Sequence, residues 1–188
     1  MNVSGIRLFS AALVPLFVMA CDDGGSTGPG GLLTPDDVQG SYNICSLTFT
    51  PSASFLQAVD IRAEAFELVD PPTPPRLGLD TDRTFELDYT PIGSNTDREL
   101  SGTYELGSNS VLITFTGGVD EASLLLPTKL LLNFQESPRQ LSTQASDAFN
   151  VARKTYADMA DIPEEERGAL SEQIRGTVGA RLATGACG

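Results

Sequence analysis

From about residue 34 to about residue 144 the dominant alternation of apolar and polar residues has a period of two, broken by turn residues at short intervals. This pattern is the strongest constraint on the fold, because it commits most of the chain to half-buried antiparallel strands. Val38, Gly40, Tyr42 and Ile44 share one face, after which Cys45, Leu47 and Phe49 occupy the opposite parity. A phase change inside one apolar run predicts a β-bulge or sharp bend, as a curved or closing sheet requires. Leu77 and Leu79 alternate with Arg76, Gly78 and Asp80, the Asp80–Arg83 stretch supplies a polar turn, and Phe85, Leu87 and Tyr89 resume, which predicts a hairpin. A second hairpin runs through Leu100, Gly102, Tyr104 and Leu106, turns at Gly107-Ser108-Asn109 and returns through Val111, Ile113 and Phe115. Gly102, inside a good strand pattern, predicts a bend or a close backbone approach. Leu124, Leu126, Leu130, Leu132 and Phe134 continue the even parity around Pro127, and Gln140-Leu141-Ser142 adds a last short strand.

Two stretches carry a different period. In residues 52–69, Leu56, Val59, Ala63 and Phe66 fit a helix while Val59, Ile61, Ala63 and Ala65 fit a strand. The helix formers there favour a helix or a mixed segment. After residue 144, Phe149, Ala152, Tyr156 and Met159 are spaced for one helix face. A second helix is predicted from Pro163 and Glu164-Glu165-Glu166, with Leu170, Ile174, Val178 and Leu182 as its stripe. The expected fold class is therefore α+β: a mainly antiparallel barrel or curved sheet over residues 34–144 and two helices in a C-terminal segment, 145–188.

The N-terminus precedes this domain with an address. Arg7 is followed by an apolar run over residues 8–20, too short to span a bilayer comfortably, and a small residue, Ala20, stands before Cys21. This resembles the lipobox of signal peptidase II substrates. The resemblance implies removal of residues 1–20, acylation of Cys21 and anchoring of the protein to a lipid bilayer in the bacterial cell envelope, at the inner or outer membrane. More than one acyl chain is what makes such anchoring stable. Residues 21–33, rich in glycine with Asp22 and Asp23, form a flexible tether behind the lipidated cysteine.

Composition narrows the chemistry. The full chain of 188 residues carries 12 basic and 25 acidic residues, a net charge of −13 that becomes −14 when Arg7 leaves with the signal. Phosphate backbones repel such a chain, so nucleic acid is not an expected partner. The absence of histidine removes a Ser-His-Asp or Cys-His constellation, His-ligated zinc and a histidine pH switch. Asp80-Thr81-Asp82 lacks the further ligands and glycine of a Ca²⁺ loop and reads as a polar turn. Glu164-Glu165-Glu166 is explained by a helix's first turn. No catalytic residue, cofactor or metal is expected; an enzyme would need carboxylates such as Asp80, Asp82 and Glu86 to converge in one pocket. With Cys21 assigned to lipid, Cys45 and Cys187 remain, either as a disulfide or as two free buried thiols.

The strands carry one further likeness. Gly40-Ser41-Tyr42-Asn43-Ile44 echoes Gly102-Thr103-Tyr104-Glu105-Leu106, and a Leu77-x-Leu79, turn, Phe85-x-Leu87 hairpin precedes the second of these. Residues 36–144 thereby resemble the lipocalin-like domains of small bacterial extracytoplasmic lipoproteins, with Tyr42 standing where true lipocalins have tryptophan. The resemblance implies a meander closing into a barrel, with Tyr42, Phe85, Leu87, Tyr104, Ile113, Leu130 and Leu132 lining its interior. Small barrels either fill that space with side chains or hold one small ligand. The leading expectation is a non-enzymatic envelope protein that binds a small apolar ligand there or an envelope partner. The alternative is a structural or assembly lipoprotein with a filled barrel, working through its acidic surface.

Overall fold

The computed structural model describes residues 31–62, 75–89, 98–117 and 125–187; the expected signal, Cys21 and residues 22–30 of the expected 21–33 tether lie outside the described residues. A one-turn helix, α1 (Pro35–Val38), leads into β1 (Gly40–Pro51). There follow β2 (Val59–Asp60), β3 (Arg76–Leu79), β4 (Thr84–Tyr89), β5 (Arg98–Leu106), β6 (Ser110–Gly117), β7 (Lys129–Gln135), β8 (Gln140–Ser146) and β9 (Phe149–Ala152). Then come α2 (Arg153–Met159), a 3-10 helix (Glu164–Ala169) and β10 (Gln173–Ala183). Among the described residues no helix is long and apolar enough to cross a membrane.

All neighbouring strands pair antiparallel in the order β1-β3-β4-β5-β6-β7-β8-β10, and β10 pairs back onto β1, so these eight strands close into a barrel. Both hairpins predicted from the turn residues form, with Leu79 opposite Phe85 and Leu106 opposite Val111. The parity change in β1 is a bulge: Ile44 pairs with Leu182 and Ser46 with Arg181, leaving Cys45 as the extra residue. The bulge lets both Ile44 and Leu47 point inward, at 3% and 1% exposure, while one strand bends around the barrel.

The C-terminal expectation needs correction. Only α2 and the 3-10 helix are helical there. Phe149 and Ala152, assigned above to a helix face, belong to β9, and the residues from Gln173 to Ala183 form β10 in place of a second helix. Ile174, Val178 and Leu182, spaced by four, satisfy a period of two as well as one of 3.6, since four is even. What decides is the residues between them. Gly176 and Ala180 complete an unbroken inward face, glycine at 176 and 179 disfavours a helix, and β-branched Thr177 and Val178 favour extended backbone. The barrel therefore runs from residue 40 to residue 183 and does not end near 144. In the ambiguous segment, residues 52–58 turn off the sheet and lead to β2, Arg62 is helical, and residues 63–69 lie outside the described residues.

The two ends of the barrel differ. At one end the strands are joined by the short turns at 80–83, 107–109 and 136–139. Residues 33–39 cross this end: Leu33 N donates to Gly107 O at 2.9 Å on the far side, and Val38, fully buried, sits beneath. Asp37 fastens α1 by accepting from Thr34 N at 2.7 Å, and those bonds from Thr34 hold its carboxyl below the usual range. At the opposite end β9, α2 and the 3-10 helix are packed beside β10, with Tyr156 buried edge-to-face on Phe49 and its hydroxyl donating to Gln57 O at 2.8 Å. Arg167 ties the 3-10 helix to α2, pairing with Asp158 at 2.7 Å and Glu164 at 3.2 Å.

Candidate functional site

The seven residues assigned to the interior converge. Tyr42 on β1, Phe85 and Leu87 on β4, Tyr104 on β5, Ile113 on β6, and Leu130 and Leu132 on β7 all belong to one continuous core cluster. Pairing explains it: Tyr104 lies opposite Ile113, Ile113 opposite Leu130 and Val111 opposite Leu132, so inward positions of adjacent strands fall side by side.

These side chains fill the space they enclose. Their exposures are 0% for Tyr42, Phe85 and Leu132, 1% for Tyr104 and Ile113, 3% for Leu87 and 5% for Leu130. A void wide enough for water would appear as accessible surface on the residues around it, and these seven residues show almost none. Two inward glycines show how the packing is reached. Phe85 lies across Gly102, where a Cβ would come within 2.7 Å of the ring, and Phe49 lies across Gly176, where a Cβ would come within 2.5 Å. Gly102 thus faces inward beneath a ring, whereas Gly78 faces outward between buried Leu77 and Leu79. Phe115 closes on Phe85 edge-to-face at 5.1 Å.

The polar ends of the interior tyrosines are occupied by protein groups. Tyr42 Oη donates to Val38 O at 2.7 Å and accepts from Arg139 Nε at 3.2 Å, while Tyr104 Oη donates to Asp80 O. Burial pushes both hydroxyls above the usual phenol range. Arg139 also donates to Asp37 O and Gln39 O, so one guanidinium in the 136–139 turn clamps the segment that crosses the barrel end. No local pattern marks Arg139 in the sequence. The inward face of β10, Ile174 to Leu182, was equally missed, although its alternation was present to be read.

Cys45 and Cys187 form a disulfide, with a Cα–Cα distance of 5.1 Å across 142 residues of sequence. Of the two alternatives the sequence left open, the bridge is the one realised. As the bulged residue, Cys45 receives the tail that follows β10. Cys21, the expected site of acylation, lies outside the described residues.

Asp80, Asp82 and Glu86 are exposed, on or beside the 80–83 turn. Asp82 Oδ1 accepts from Thr84 N at 3.0 Å and from Thr84 Oγ1, as a polar turn requires, and these bonds lower its pKa. Glu86 is raised above the usual carboxylate range, chiefly by Glu99 and further by Asp80 and Asp88. A carboxyl raised in the folded state favours folding below its unfolded pKa, and that contribution is lost as pH rises through the folded value. Glu86→Gln is therefore expected to raise the melting temperature at neutral pH and low salt, with the gain vanishing in ~1 M salt, where the Debye length is ~3 Å. A thermal melt at both ionic strengths measures it; an unchanged or lowered melting temperature at low salt would contradict the repulsion.

Comparison with family models, with curated protein sequences and with solved structures finds no match for this chain.

Proposed function

We propose that the protein is a non-enzymatic lipoprotein of the bacterial cell envelope, held to a bilayer through acylated Cys21, whose lipocalin-like barrel serves as a packed scaffold and acts on an envelope partner through its outer surface. One observation carries this choice over a carrier of a small apolar ligand. All seven candidate cavity residues are at most 5% exposed, and both interior tyrosine hydroxyls are bonded to protein. An interior ligand would have to displace side chains packed at the density of a protein core, each loss of such packing costing on the order of 1 kcal/mol or more.

The chain's distribution of features supports the same reading. Residues 33–39 cross the end with the short turns, where Leu33 is bonded to Gly107. The partner is expected at the opposite end, which carries β9, α2 and the 3-10 helix. Titration of the mature protein with 1-anilinonaphthalene-8-sulfonate tests the packed interior. No stoichiometric, saturable fluorescence is expected. Saturable binding that is lost on replacing Ile113 by a bulkier Phe would instead establish an internal ligand site.

A further inference from the structure

β1 and β10 part company at the end that bears the helices. Their last rung is Ser52 N donating to Arg175 O at 2.8 Å, after which Leu56 N bonds Ala53 O at 3.0 Å and the chain turns off the sheet. β10 continues in the other direction, still paired on its far edge, where Gln173 lies opposite Ala152 and Arg153 N donates to Glu172 O at 2.9 Å. Successive residues of a strand direct their N–H and C=O groups to opposite edges. Since Glu172 addresses β9 and Arg175 addresses β1, Gln173 presents both its backbone groups to the side that β1 has vacated.

That edge opens into a groove of about 240 Å³. Phe55, Leu56, Leu170 and Ile174 give it apolar walls, and Phe55 is 83% exposed. Among the described residues lining it, Arg175 is the one charge, exposed and without an ion pair among the described residues. In a chain with 25 acidic and 12 basic residues, a groove with a lone cation and no described carboxylate is complementary to a negatively charged ligand with an apolar body.

We propose that this groove receives an extended acidic peptide of a protein partner, added as a short strand beside Gln173, with an apolar side chain against Phe55 and Leu170 and a carboxylate on Arg175. An open strand edge supplies main-chain affinity, and the flanking pockets supply the choice of side chain. This rests on the reading that the protein works through its outer surface, and it names the partner's chemistry.

The test uses the full mature protein in lipid nanodiscs and two labelled, acetylated hexapeptides, one of alternating leucine and aspartate and one of alternating leucine and lysine. The aspartate peptide is expected to bind roughly tenfold or more tightly than the lysine peptide, with Phe55→Ser weakening it roughly tenfold and Arg175→Gln removing most of the preference. Hydrogen exchange is expected to slow over residues 52–56 and 171–175. Equal affinity for the two peptides, no binding, protection elsewhere on the barrel, or indifference to both substitutions would overturn the proposal. Failure of the underlying reading looks different: an apolar dye would enter the barrel, while peptide affinity and its dependence on Phe55 stayed as measured.

Discussion

A protein with both Cys45→Ala and Cys187→Ala is expected to lose roughly 4–5 kcal/mol of stability, a third or more of the roughly 5–15 kcal/mol a folded domain commonly has. The bridge spans 142 residues, so nearly the whole barrel lies within the loop it closes, and the unfolded chain is constrained accordingly. It also joins the first and last barrel strands, the pair with the greatest separation in sequence: Asn43 lies opposite Ala183 just beside it. Pairing of β1 with β10 is the step that turns an open sheet into a barrel, and without the bridge it must overcome the full closure entropy. Chemical denaturation of the oxidised protein and of the double variant measures the difference. A loss under ~1 kcal/mol would mean that the unfolded chain is already confined by other means, contrary to the closure model.

Gly102→Ala is the second large effect, and it turns on a single methyl group. A Cβ at residue 102 would lie 2.1 Å from Thr114 O and 2.7 Å from the Phe85 ring. The ring could swing away at the cost of core packing, but the carbonyl belongs to the paired strand β6 and can move only by disturbing the β5–β6 ladder, already irregular between Ser101 and Gly102. Overpacking of this kind costs about 1–3 kcal/mol and sometimes more, and the upper part of that range is expected here because backbone is involved. Gly78→Ala is the matched control, since its Cβ would meet nothing closer than Glu86 O at 3.8 Å. A substitution there is expected to be neutral or to stabilise by a few tenths of a kcal/mol through the unfolded state. Equal melting temperatures for the two variants would contradict the close approach of Phe85 to Gly102.

How much of this was legible depends on what each feature needs. The two central hairpins were readable because their information is local: alternating apolar residues on either side of Asp80–Arg83 and of Gly107-Ser108-Asn109. The bulge was readable from parity alone, at Ile44 and Leu47, and Gly102 from its isolation within a strand. β10 was misread because Ile174, Val178 and Leu182 satisfy both periods and the deciding inward positions hold glycine and alanine, which an apolar count overlooks. α2, about two turns long, forms where Tyr156 and Met159 indicated a helix, but its start was placed too early because Phe149 and Ala152 in β9 happen to be in phase with them. Arg139 left no trace, because its partners Asp37, Gln39 and Tyr42 are about a hundred residues away. Whether the barrel is filled was not legible from residue types at all. It is decided by where the Phe85 and Phe49 rings fall, and that is a property of register.

The most direct test of a lipid-anchored protein with a packed barrel is to extract it from the membranes of the producing cell and compare its native and denatured masses. The denatured mass is expected to equal the chain from Cys21 onward plus covalently attached acyl groups, and the native mass to exceed it by nothing stoichiometric beyond bound detergent. A native mass raised by one small apolar molecule per chain would contradict the packed interior, and a denatured mass without acyl groups would contradict the anchor.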